Sequence, residues 1–185
     1  TARRNGLKIR MDEIEEAITK VIAGPEKKSR VINEKERKLT AYHEAGHAVV
    51  ARSLPGTDPV HQVTIIPRGM AGGYTMPLPT EDKSYNSKNE MIEDIVVCLG
   101  GRVAEALILD DISTGASNDI ERATKTARAM VTKYGMSDLL GLRAFGNDHG
   151  EVFLGRDFSS SQDYSDETAS KIDAEIHSII SEAYA

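Results

Sequence analysis

Tryptophan is absent from this 185-residue chain, and cysteine occurs once, as Cys98. A lone cysteine closes no internal disulfide and builds no cysteine-rich zinc site. It fits a reducing compartment and leaves histidine and carboxylate as the available metal ligands. Long apolar runs are also missing. Stretches such as Ala48-Val49-Val50-Ala51 fall far short of the roughly 18 residues that span a bilayer, so the chain is expected not to cross a membrane itself. The basic start at Arg3 and Arg4 leads into an acidic amphipathic stretch and not an apolar one, unlike a secretory leader. No basic cluster stands out among 23 Lys+Arg, against 29 Asp+Glu and a net charge of −6. Nucleic acid is therefore excluded as a partner, because phosphate contacts need a concentrated cationic face. A GxxxxGK[ST] phosphate loop is missing as well, so no ATP is bound through one. What remains, 39% hydrophobic and 28% charged, is the composition of a globular domain with a single core.

The apolar pattern is mostly helical. In MDEIEEAITKVIAG, Ile14, Ala17, Ile18, Val21 and Ile22 recur at helical spacing behind an acidic first turn, and Gly24-Pro25 stops the helix. The charged stretch that follows reads as a linker. A second helix is expected from near Glu34 to just before Pro55. The runs VTIIP and GYTMP around a glycine-rich turn read as short edge strands. Ser87 and Glu90 form a capping box ahead of a long helix, whose interior Gly100-Gly101 implies the close approach of another backbone. Beyond DDISTGASND a further helix places Ile120, Ala123, Ala127, Met130, Val131 and Tyr134 on one face, up to Gly135. AFGNDHGEVFLG reads as a hairpin turning at Asn147 to Gly150. The last helix carries Ala169, Ile172, Ile176, Ile179, Ile180 and Ala183 on one side and reaches the end without a stop signal. The expected class is mainly α with a small β-hairpin.

Chemistry concentrates in His43-Glu44-Ala45-Gly46-His47, an HExxH motif on the second helix. Histidines four apart on a helix share a face, with Cβ atoms roughly 5–6 Å apart, so one zinc ion can take both. Glu44 points away from that axis. It can reach a water at the open coordination position without ligating the metal, as a general base must. A catalytic zinc takes three protein ligands and leaves a position for water. The metzincin arrangement would put a histidine where Ser53 stands, so that class is excluded. Spacing leaves the third ligand open among Glu90, Glu93, Glu105, Asp119 and Glu121, while His61, His149 and His177 read as solvated polar residues. The competing class is a helical interaction domain, with or without a structural metal. A zinc determination paired with a cleavage assay, with and without chelator, separates the two.

The phrases AYHEAGHAVV, VTIIPRG, LGGRVAE, STGASNDIERAT and YGMS occur in order over most of residues 39–185. Together they resemble the peptidase domain of the FtsH family, the membrane-anchored AAA+ zinc proteases. That resemblance implies a helical zinc-protease domain that degrades unfolded or membrane-extracted proteins. Zn2+ would be held by His43, His47 and Asp119, with Glu44 as the catalytic acid/base residue and Glu105 in a supporting place. Residues 1–24 resemble the C-terminal end of the AAA+ helical lid, which makes 25–38 the linker and 39–185 the protease domain, truncated at its C-terminus. The resemblance further implies a homohexamer on the cytoplasmic face of the bacterial inner membrane. Its membrane anchor and its ATP/Mg2+ module would both lie upstream of this chain.

Overall fold

Local hydrogen bonding explains where the helices begin. In this computed structural model, which describes residues 8–27, 32–69, 71–146 and 163–185, helix α1 covers Met11–Ala23, and the Glu13 carboxylate accepts from the Arg10 amide at its start. Helix α2, Glu34–Ser53, is capped by the Asn33 side chain accepting from the Glu36 amide. It begins inside the stretch read as a linker. Strands β1, Val60–Thr64, and β2, Tyr74–Pro77, form an antiparallel pair. Helix α3, Lys88–Leu109, opens on the expected reciprocal Ser87–Glu90 box. A 3₁₀ turn, Thr114–Ala116, feeds α4, Ser117–Thr132, and α5 spans Asp166–Tyr184 behind a Ser165 cap. Each cap satisfies a backbone donor that the first helical turn leaves without an intrahelical partner.

Three helices build the core. Ile95, Cys98 and Leu99 of α3 meet Ala123, Ala127, Met130 and Val131 of α4 and Ile172 and Ile176 of α5, all buried. The expected inner faces of α4 and α5 are therefore right in the middle, but Ile120 and Tyr134 at the ends of the α4 stripe stay exposed. Tyr134 lies past the helix end, beneath the Lys133 ammonium. Burial raises the pKa of the Cys98 thiol, so it is a packed apolar side chain rather than a thiolate ligand. The hairpin read around Asn147 to Gly150, and with it His149, lies outside the described residues.

Helix α2 packs along α3. Their backbones touch at Gly46 and Gly100: a Cβ on Gly46 would run into the Gly100 carbonyl oxygen, and one on Gly100 would lie 3.0 Å from the Gly46 carbonyl. This is the close approach that the diglycine step implied. Both hairpin strands pack on α2. The strand expected over VTIIP is shifted toward the N-terminus, because Pro67 has no amide to offer and the Ile66 amide bonds locally to Thr64 Oγ1. His61 occupies an irregularity in the register between Val60 and Gln62 and is exposed.

Helix α1 is oriented against its own amphipathic pattern. The side it turns to the body is polar: Thr19 is buried beside Gln62, and Glu16 grips Arg68. Ile14, Ile18, Val21 and Ile22 all face outward, 43–86% exposed. Arg68, only 3% exposed, sits in the turn after β1. Its guanidinium donates to Glu16, Glu26 and the Gly24 carbonyl at 2.7–3.4 Å. Beside it the chain after α1 runs antiparallel to the turn, with Lys27 N–H donating to the Pro67 carbonyl at 2.9 Å. None of the described helices is long and apolar enough to cross a membrane.

Candidate metal centre

The helical HExxH spacing delivers His43 and His47 to one face of α2, their rings 4.7 Å apart and nearly perpendicular. Asp119, in the first turn of α4, completes a triangle. His43 Nε2 and His47 Nε2 are 3.1 Å apart, and Asp119 Oδ2 lies 3.3 and 3.4 Å from them. A tetrahedral zinc with bonds of about 2.0–2.1 Å needs its donor atoms about 3.3–3.4 Å from one another, so the spacing fits that ion. The protonation pattern fits as well. His47 Nδ1 lies 2.7 Å from the Val97 carbonyl oxygen, which can only accept. His43 Nδ1 lies 2.7 Å from Glu105 Oε1, whose other oxygen accepts from the Ser113 amide. Both Nδ1 atoms therefore carry the protons, and two bare Nε2 lone pairs meet a carboxylate oxygen. Three converging acceptors with no proton to share are a site for a cation.

The electrostatics follow from burial and proximity. Burial alone would raise the Asp119 pKa, but His43 and His47, when protonated at Nε2 as well, bond to it and attract it, which holds the carboxyl well below the usual carboxylate range. Burial works against a charged His43, yet bonds to Asp119 and Glu105 and the Glu44 charge raise its pKa. Glu44 itself is 7% exposed. Its desolvation outweighs the opposing Thr75 hydrogen bond and the histidines, so its pKa is raised, which makes it a stronger base than a surface glutamate. Thr75 Oγ1 on β2 lies 2.7 Å from Glu44 Oε2 and 3.0 Å from the Glu44 carbonyl.

The second glycine of the pair serves the imidazoles. A Cβ on Gly101 would fall 2.6 Å from both His43 Cε1 and His47 Nε2. Gly101→Ala should leave the helix intact, since Ala is the better helix former by about 1 kcal/mol. It should weaken zinc binding by about 10- to 100-fold, the range for disturbing groups that orient ligands. Competition titration against a zinc indicator, beside circular dichroism, tests this. Unchanged affinity would mean that the contact has no bearing on the ligands.

The other carboxylates weighed from spacing are engaged elsewhere. Glu105, fully buried, backs His43 on its far nitrogen. Glu93 accepts from the Gly56 amide, Glu90 pairs with Lys83 in the cap, and Glu121 pairs with Lys125 on the surface. His177 is exposed on α5. Among the described residues, His43, His47 and Asp119 form the one such ligand cluster. The sequence reading missed Thr75 and Gly73; the one trace of them was the glycine-rich turn just ahead of β2.

The sequence profile of Peptidase family M41 matches residues 30–185. The chain belongs to peptidase family M41. Its M41 relatives include "ATP-dependent zinc metalloprotease FtsH 2" of Alkaliphilus metalliredigens, 70% identical over 184 residues, which covers 100% of this chain and 27% of that protein. "ATP-dependent zinc metalloprotease FtsH 1" of Thermoanaerobacter sp. is 67% identical over 184 residues, 99% of this chain and 30% of its own length. This M41 chain thus spans less than a third of the curated relatives it matches. The M41 match opens just ahead of α2, whereas similarity to the two longer relatives extends over α1 as well.

Proposed function

We propose that this chain is the proteolytic domain of an ATP-driven, membrane-anchored zinc protease, hydrolysing peptide bonds in unfolded or membrane-extracted proteins. The observation that carries the reading is the convergence of His43 Nε2, His47 Nε2 and Asp119 Oδ2, with the buried Glu44 carboxylate on the next residue of the same helix. His43, His47 and Asp119 would hold the ion, and Glu105 and the Val97 carbonyl fix the tautomers that turn both Nε2 atoms to it. Zinc, when bound, supplies Lewis-acid polarisation of the scissile carbonyl and makes water more acidic. Glu44 takes the proton of the attacking water and returns it to the leaving amine. An extended substrate pairs by its backbone along the edge of a hairpin strand, which accommodates many sequences.

The wider assembly is part of the same proposal. Residues 1–24 are the end of an AAA+ lid, 25–38 the linker and 39–185 the protease domain. ATP and Mg2+ act in a module upstream, in a homohexamer anchored at the cytoplasmic face of a bacterial inner membrane. The names of the relatives support the ATP-dependent zinc protease, and the start of the M41 match near residue 30 supports the boundary. In the full-length protein, metal analysis should find about one zinc per chain. Degradation of unfolded casein should stop with a chelator and return with added zinc. Proteolysis that survives complete removal of zinc would overturn the reading.

A further inference from the structure

We infer that Thr75 is a positioning residue for the general base, holding one oxygen of Glu44 so that the other is presented to the reacting water. The inference rests on the reading of Glu44 as that base. Two independent contacts define a cradle around the carboxylate, both from the hairpin and neither from α2. The Thr75 hydroxyl is 2.7 Å from Glu44 Oε2. With a single proton to give, it favours this acceptor, the nearer and the charged one, over the Glu44 carbonyl at 3.0 Å. Gly73 passes over the other oxygen: a Cβ there would come within 3.0 Å of Glu44 Oε1 and 2.6 Å of the Thr64 carbonyl. One oxygen is therefore tied, and backbone without a side chain lies beside the other.

The consequence lies in orientation. A glutamate on an isolated helix face samples several rotamers, whereas a base must sit within hydrogen-bond reach of the proton it removes. The hydroxyl selects one rotamer and does so from β2, a strand whose other edge pairs with no strand among the described residues. A charge-assisted hydrogen bond of this kind corresponds to roughly 10- to 100-fold in rate if it is needed only for the reacting geometry.

The test uses the full-length protein and a fluorogenic unfolded peptide, with zinc content, kcat and KM measured for each variant. Thr75→Val keeps the shape and β propensity but loses the donor. It should retain one zinc and its KM while kcat falls roughly 10- to 100-fold. Thr75→Ser restores the donor and should recover most of kcat. In a Glu44→Gln background, Thr75→Val should lower the residual rate no further, because its effect runs through the carboxylate. A parental kcat in Thr75→Val, failure of Thr75→Ser to recover, or a further loss in the Glu44→Gln background would each overturn the inference. If Glu44→Gln itself keeps the parental rate, the assignment of the base has failed. An inactive Glu44→Gln beside an unimpaired Thr75→Val removes the positioning role alone.

Discussion

Glu44→Gln is expected to bind about one zinc per chain and to lose proteolysis by about 10²- to 10⁴-fold, the usual contribution of a positioned general base. Both halves of the result follow from the site. The ligand cluster is His43, His47 and Asp119, with Glu44 outside it, so the metal keeps every donor. Glutamine has the size of glutamate, and its carbonyl can still accept from Thr75, so the helix and hairpin stay together. Burial already disfavours charge at this position, so a neutral amide costs nothing in desolvation. What disappears is the capacity to accept a proton. Zinc determination beside initial rates on an unfolded substrate checks both statements. A variant that keeps more than about a tenth of the rate would contradict the general-base role, because proton transfer is worth more than that.

Asp119→Ala should abolish stoichiometric zinc binding and, with it, activity. Two imidazoles alone leave half of a tetrahedral shell unfilled, and they face each other at 3.1 Å without the carboxylate that balances the charge. Glu105→Gln is the informative comparison, because both carboxylates touch the same ring: Asp119 at Nε2 and Glu105 at Nδ1. Losing an outer partner weakens metal binding by about 10- to 100-fold, so Glu105→Gln should still fill with zinc at saturating concentration. Isothermal titration of the metal-free proteins separates the two. Normal affinity in Asp119→Ala together with none in Glu105→Gln would exchange their roles.

Much of this site was legible in the chain. The HExxH spacing needs only one helix, and the helix is signalled by its own caps and apolar period, so His43, Glu44 and His47 follow from local rules. The proposed third ligand does not, because Asp119 is brought to α2 by the packing of α3 against α4 and no local spacing encodes that. Glu105 and Asp119 looked alike from spacing alone; the family resemblance implied Asp119 as the ligand, and their approach to opposite nitrogens of His43 is the geometry that distinguishes them. The Gly100-Gly101 step was half legible: it signalled close packing, but not that one glycine faces a backbone and the other two imidazoles. Helix α1 forms where its spacing implied, and the side it turns inward has a physical reason. Its apolar stripe is real, but the buried Arg68 guanidinium draws the acidic face inward and leaves the stripe outside. Thr75 was invisible, since a threonine in a strand is ordinary and its importance comes from what it touches.

The way the candidate ligands are divided between α2 and α4 has a consequence for stability. An ion shared by His43 and Asp119 ties together points 76 residues apart in the folded chain, and because the unfolded chain offers no such preformed site, binding stabilises the folded state by mass action. Such an ion is a reversible cross-link as well as a reagent. Occupancy and cohesion become one equilibrium, and scarcity of the metal loosens the same two layers whose apposition the reaction requires.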